Sequence, residues 1–416
     1  MAFRPLQILI ASPSWILLIF LGAALFRPPG PHFFPFDRVA LAALLFTAFL
    51  CATARRQSLR LSGEIAWPLS ALLLLSLIGV MATPDDPQAW SVFAAKWFVP
   101  FVMFAVTGLL FDDPGFLPRF ETFTLIALAY LIWIAVASMV GARSLIVPSW
   151  ILNESLGMHA DRARGPFLQA VANGVTLNLL GLMALNAFRR KKIHGAIGVA
   201  LLAGLPLAIV ATKTRSVWLA FAGSVLLMLF RSRNRRLRRA CTGLVVAGAM
   251  ALVACVSVAD SNRSLAERLE DRSPVEFRMA VYQAGWAMFR AKPLLGWGSD
   301  AMQVELGKRI TDFHQDAFYF HNTYLEILVE RGLLGLGLYL WLALGLFRVG
   351  RRRRLPASAD FLDEEFRSVW PVFVMVFLVN GSFVVMNYQF VNGLLFAIAG
   401  MLAAQNQRAE LKRYAD

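Results

Sequence analysis

Long apolar runs alternate with short polar ones along almost the whole chain, and the runs have the lengths of helices. Twelve can be placed, near 7–26, 38–54, 64–82, 91–111, 120–140, 167–188, 194–211, 216–230, 240–258, 323–347, 368–386 and 390–404. A helix needs about 20 mostly apolar residues to cross the hydrocarbon core, and in lipid only helices or closed barrels satisfy the backbone. The runs lack the period-two alternation of barrel strands. The pattern therefore predicts an all-α polytopic membrane protein with about 12 transmembrane helices, a single integral-membrane domain over 1–416. One long polar stretch interrupts the series: residues 259–322, between the ninth and tenth predicted helices, form one large loop.

That loop carries Arg263, Arg268, Arg272, Arg278, Arg290, Lys292, Lys308, Arg309 and the pair His321-Asn322. Ser273-Pro274-Val275-Glu276 reads as a helix start, with Ser at the cap, Pro at the first helical position and Glu placed to reach back. Val275, Met279, Tyr282, Trp286 and Phe289 recur at helical spacing, which predicts an apolar stripe packed on the bundle or lying at the membrane surface. Lys292 to Gly298 breaks this helix, and a second start follows at Ser299-Asp300. Asn322 or Thr323 then caps the tenth span, with Glu326 placed to complete a capping box.

Orientation follows from the basic connections, since Lys and Arg gather on the cytoplasmic side. Arg55-Arg56, Arg189 to Lys192, Arg231 to Arg239, Arg348 to Arg354 and the tail with Arg408, Lys412 and Arg413 all fall on one side if the amino terminus is inside. The large loop and Thr83 to Pro87 then face outward. The connection from Phe111 to Arg119, with Asp112 and Asp113, is the weak member of the series. The run after Arg4 lacks a clear small-residue cleavage site and reads as a retained first helix.

Composition agrees with a bilayer: 58% of residues are hydrophobic, 16% are charged, and the mean hydropathy is +0.59. The formal charge of +15 reads as a topology signal rather than a nucleic-acid footprint. Cys51, Cys241 and Cys255 lie in apolar spans and imply neither a disulfide framework nor a metal cluster.

Charge on the outer side is where chemistry is expected. Lys96, inside the fourth span, either faces a cavity or snorkels to the interface. Asp85-Asp86 reads as a turn more readily than as a metal site. Arg164, at the start of the sixth span, either aims its guanidinium at an outer cavity or meets lipid headgroups. Thr212-Lys213-Thr214-Arg215-Ser216 gathers two cations and three hydroxyls at a helix amino terminus, where free amides and the dipole already favour an anion.

Three pieces in this order resemble the O-antigen ligase and polymerase superfamily of bacterial envelope proteins. They are the Thr-Lys-Thr-Arg215-Ser helix start, Arg278 with Trp286, Pro293, Gly296 and Gly298 behind it, and His321-Asn322-Thr323-Tyr324-Leu325-Glu326 followed by Glu330 and Gly332 to Gly335. Lys213 departs from the pattern, standing where a small or polar residue is more usual.

The resemblance implies a glycosyltransferase of GT-C type in the bacterial inner membrane, its active site facing the periplasm. It implies transfer of O-antigen from an undecaprenyl diphosphate-linked donor to a sugar hydroxyl of lipid A-core. Polymerases and protein O-oligosaccharyltransferases share the motifs, and a lipid-linked sugar exporter is the rival from another class. An exporter calls for inverted repeats or helices broken at mid-membrane, and the sequence offers neither. Fixed arginines stabilise the charge that a departing diphosphate accumulates, with no cofactor or metal. Arg215 and Arg278 are the catalytic cations of this reading, Arg164, Lys213 and Asn322 bind donor or acceptor, and His321 takes the acceptor's proton. Nearby arginines keep its ring neutral.

Overall fold

A computed structural model describes residues 13–27, 34–54, 61–113, 115–157, 159–193, 195–259, 273–310, 318–351 and 360–415. Arg55, Arg56, Arg263, Arg268, Arg272 and Arg352 to Arg354 lie outside the described residues. Among the described residues the regular structure is all helical: α1 Ser14–Leu25, α2 Phe36–Ala54, α3 Gly63–Met81, α4 Pro87–Leu110, α5 Phe116–Met139, α6 Ala170–Arg189, α7 Gly195–Ala211, α8 Arg215–Arg231, α9 Arg235–Ala259, α10 Ser273–Ala291, α11 Gly298–Arg309, α12 Thr323–Val349, α13 Glu364–Gly381 and α14 Gln389–Ala415. Each of the twelve predicted runs coincides with a helix, and α10 and α11 are the two helices predicted inside the large loop. Among the described residues, α2, α3, α4, α5, α6 and α12 are long and apolar enough to cross a membrane by length and composition, and α1 and α7 are shorter apolar helices.

Local chemistry sets the boundaries. Asp86 caps α4, its carboxylate accepting from Gln88 N ahead of Pro87 at the first position. Asp363 caps α13 by accepting from Phe366 N, and Asn234 caps α9 by accepting from Arg236 N and Leu237 N. The Asp85-Asp86 pair is thus a turn and a cap.

The core is apolar and runs through the bundle, with α4 against α14, α5 against α7, α3 against α12 and α8 against α13 as its main contacts. Polar bonds then fix the two ends. At one end, Arg189 pairs with Asp363 at 2.5 Å, Arg190 with Glu121 at 2.8 Å, and Ser232 Oγ donates to Glu365 at 2.7 Å. Asp113 accepts from Ser14 N and lies 3.7 Å from Arg119, and Asp112 pairs with Arg408. The acidic connection at 111–119 therefore sits at this end, Asp113 matched by its own Arg119 and Asp112 by Arg408 of the basic tail.

At the other end, Thr323 Oγ1 donates to Val384 O and accepts from Met386 N, while Tyr388 Oη donates to Gln169 Oε1 just before α6. Ala163 N donates to Ala211 O at the end of α7. These bonds carry the starts of α6, α8 and α12 to one end of the bundle.

The hairpin of α10 and α11 packs on α12 and α3 around its own small core of Val281, Met288, Leu306, Phe320 and Val329. The predicted stripe on α10 is divided, with Tyr282 and Phe289 packed against this core. Val281, Ala284 and Met288 face inward, whereas Met279 and Trp286 are 55% and 51% exposed. The small residues decide this, because Gly285 lets the Phe320 ring sit against the helix, where a Cβ would approach it to 2.5 Å. The spacing of the largest apolar residues missed Ala284 and Gly285, where the packing is closest.

Sequence reading found no broken helix, yet α12 breaks at Gly332, with φ 63° and ψ −162°. The backbone of Pro293 to Leu295 fills the break: Leu333 N donates to Pro293 O and Leu334 N to Leu294 O. A Cβ at Gly332 would lie 2.2 Å from Leu294 O, and one at Gly296 2.5 Å from Arg331 N. Both glycines have φ in the left-handed region, so no side chain fits either by space or by backbone. The glycine motif thus clamps the hairpin onto α12, with Pro293 O and Leu294 O taking up the amides freed at the break.

Candidate functional site

Residues 318–321 lie along α10 and set the first group. Phe318 stacks on Phe277 with centroids 6.1 Å apart, and Phe320 is buried against Gly285. His321 comes next, with φ 49°, a left-handed conformation uncommon for a residue with a Cβ. Asn322 then caps α12, its side-chain oxygen accepting from Tyr324 N and Leu325 N at 3.0 and 3.1 Å. The cap and the ring stack therefore fix the imidazole between α10 and α12, a half-buried position. Burial pushes its pKa below the ordinary histidine value, and the Arg278 guanidinium pushes it the same way. His321 and Arg278, predicted to act together, are brought together. Arg278 itself is exposed, one residue beyond Phe277.

The second group is the turn between α7 and α8. Thr212 Oγ1 donates to Ile209 O and Thr214 Oγ1 to Thr212 O, so these hydroxyls tie the turn and are not aimed outward. Lys213 takes φ 47° and lies 3.8 Å from Asp161. Arg215 opens α8 and is exposed, beside first-turn amides that receive no side-chain cap from Thr214. This is the anion-favouring helix start expected from the sequence.

Arg164 sits otherwise than expected. It is 2% exposed, and its Nε and both Nη atoms donate to the carbonyls of Ile151, Asn153 and Leu156 at 2.5 to 3.0 Å. A connection without regular ladders leaves carbonyls to be satisfied, and this guanidinium satisfies them. It staples the loop instead of facing an outer cavity.

A third group was legible only in part. Lys96 does not snorkel: it is 6% exposed, with Nζ 2.6 Å from Glu326 Oε1 and 3.7 Å from Glu330 Oε2. Glu326 therefore answers Lys96 and does not close a capping box. Arg331 Nη2 lies 2.9 Å from Glu330 Oε1, giving a buried chain of four alternating charges. Lys96 sits in a π-helical turn, Ala94–Phe98, whose Ala95 carbonyl accepts from Asn392 Nδ2 at 2.8 Å. Such an inserted residue re-aims side chains and is frequent at functional sites. The four charges line a cavity of about 250 Å³ bounded by α3, α4, α11 and α12. An ionisable residue in an apolar span was the available signal for Lys96, whereas nothing local marks Arg331.

Residues 197–340 match the model of the O-antigen ligase family. The match spans Lys213, Arg215, Arg278, His321 and Asn322, and Arg164 lies before it. No curated protein matches the chain. Together with its apolar helices, the match points to a multi-pass bacterial membrane protein. Members of the family are glycosyltransferase-like enzymes acting on lipid-linked sugars.

Proposed function

We propose that this chain, as a member of the O-antigen ligase family, moves O-antigen from undecaprenyl diphosphate to a sugar hydroxyl of lipid A-core on the periplasmic side of the inner membrane. In this reading the fold is of GT-C type, twelve helices cross the bilayer, both termini are cytoplasmic and 259–322 is the periplasmic loop. The observation that carries the reading is the half-buried His321 held beside Arg278 at the start of α12, inside the segment that matches the family.

The chemistry follows from the two groups. The acceptor oxygen attacks the anomeric carbon while the bond from that carbon to the diphosphate breaks, and the electron pair leaves with the diphosphate. Arg215, Lys213 and the uncapped start of α8, with Arg278, receive the growing negative charge. Guanidinium groups suit this, being always charged and able to bond phosphate oxygens in pairs, and they do the work without a metal. The acceptor's proton passes to His321, whose lowered pKa keeps it a base at neutral pH. A single displacement inverts the anomeric configuration. Asn322 acts by capping α12 and so holding the His321 turn, and Arg164 acts by holding its loop beside the α7–α8 turn.

The test is transfer by purified protein in proteoliposomes, given a lipid-linked donor with either lipid A-core or a second donor molecule as acceptor. Product on lipid A-core is expected, and chain extension of the donor in its place reassigns the protein to polymerisation. Cysteine placed at Ser261 and at the exposed Arg233, in the same basic connection as Ser232, should label from opposite faces of the membrane. Labelling from one face overturns the layout.

A further inference from the structure

We propose that the cavity between α3, α4, α11 and α12 is a subsite for a neutral sugar ring of the transferred or accepting glycan. The inference rests on the transfer reading above and adds the place where uncharged hydroxyls are held. A site for the diphosphate would present spare cations. Here Lys96 and Arg331 are already matched by Glu326 and Glu330, and Asp86 adds a further carboxylate to the wall. The wall therefore carries more carboxylates than cations, and an anion entering it meets repulsion.

The unpaired atoms point to hydroxyls. Ser76 Oγ, Arg331 Nε and Gln303 Oε1 are buried on this wall without a hydrogen-bond partner among the described residues. Ser76 is 1% exposed and Arg331 8%. Buried polar atoms are ordinarily paired, so three orphans around one cavity mark where a ligand's polar atoms go. The set offers a hydroxyl that gives and accepts, an N–H that gives and an amide oxygen that accepts. A sugar hydroxyl both gives and accepts and can meet all three. A phosphate accepts only and leaves Gln303 Oε1 unanswered. Buried Trp97 and Phe93 supply aromatic walls against which the C–H face of a sugar ring packs. The Gly332 clamp bears on the same place, since it fixes Glu330 and Arg331 at the break in α12.

The test uses the full chain in lipid nanodiscs, with methyl hexosides and methyl N-acetylhexosaminides as neutral probes and inorganic pyrophosphate as the anionic one. Saturation-transfer NMR should detect a glycoside on the unaltered protein. Ser76→Val and Gln303→Leu should each weaken it about tenfold, as expected for a lost hydrogen bond in a closed site, and leave pyrophosphate binding unchanged. Melting curves check the fold, and Ser76→Ala replaces Ser76→Val if the larger change lowers the melting temperature. In turnover, Gln303→Leu should raise KM for the donor if the ring is the donor's, and for the acceptor if it is the acceptor's. Glycoside binding absent from the unaltered protein, or equal in it and both variants, overturns the subsite, as does a fall in kcat with neither KM raised. Arg278→Ala supplies the separate control: unchanged pyrophosphate binding there sinks the diphosphate assignment, while the glycoside arm still judges the cavity.

Discussion

At the end of the bundle that holds 186–193 and 360–368, arginines are consumed by the protein itself. Arg189 reaches Asp363, Arg190 reaches Glu121, Arg231 donates to Ser368 O, and buried Arg367 bonds Gln405 and Asn406. At the opposite end, Arg215 and Arg278 are exposed, the first at a helix start and the second beside a half-buried histidine. Arg164 lies at that second end and behaves like the arginines of the first, with its donors held by three carbonyls. Position along the membrane normal therefore does not decide what an arginine does. What separates them is burial: Arg164 and Arg367 are enclosed by the protein, whereas Arg215 and Arg278 are exposed.

The strongest way to break this comparison is to remove the base. His321→Gln keeps a polar side chain of similar reach but cannot take a proton at neutral pH. Transfer should fall about 10²- to 10⁴-fold, with the affinity for the lipid-linked donor nearly unchanged. Measuring donor binding and turnover on the same preparation separates the two, and near-normal turnover would return His321 to a packing role at the start of α12.

Next in size are the exposed cations. Arg278→Ala and Arg215→Ala should each lower kcat/KM about 10²- to 10³-fold, the usual cost of one electrostatic contact made to developing charge. Lysine at either position should restore only part, because it lacks the planar fork. Neither change should move the melting temperature appreciably, since neither side chain is buried. Full activity in either alanine variant, with normal protein levels, would make that residue a headgroup contact.

Run length and apolarity carried most of the helical layout, because a helix is a local object and its caps lie within a few residues of it. Asn322 and Asp86 illustrate this, each capping the helix that follows. The nearness of His321 and Arg278 was legible through motif order. Lys96 was visible as an oddity, but its partner Glu326 lies 230 residues away, and no periodicity links positions on different helices. Arg331 was hidden for the same reason. On α10 the pattern of large residues found Tyr282 and Phe289, which pack on the hairpin core, and missed Ala284 and Gly285, because large residues dominate a hydrophobic pattern. Arg164 misled because the sequence shows a charge and not the carbonyls that absorb it.

Arg164→Ala sharpens the comparison from the stability side. It leaves the carbonyls of Ile151, Asn153 and Leu156 without their donor, that of Ile151 buried, at a cost of roughly 3 kcal/mol. The expected result is a clear drop in melting temperature. In protein kept folded by a lower assay temperature, kcat/KM should change far less than in Arg278→Ala. A loss of turnover as large as that of Arg278→Ala, at an unchanged melting temperature, would place Arg164 with the exposed cations and undo the distinction drawn above.

The smallest effect is a displacement of a pH profile, and it tests the pairing of His321 with Arg278 directly. Burial and the Arg278 charge both hold the imidazole below its ordinary pKa, so the folded protein keeps the ring neutral at pH values where a free histidine is already protonated. As the pH falls through the ordinary histidine value, the unfolded chain gains a proton that the folded chain refuses, so His321 makes stability decline toward acid until the folded pKa is passed. Activity should hold through that same window and fall only below it. Replacing Arg278 by Ala removes one of the two depressing influences and leaves burial in place. The acid limb of the residual activity should then move to higher pH, toward the free-histidine value without reaching it. Arg215→Ala serves as the comparison, because burial and Arg278 are the influences that set this pKa. An acid limb that stays put in Arg278→Ala would separate the limb from His321, and with it the claim that a guanidinium at this end of the bundle tunes a base.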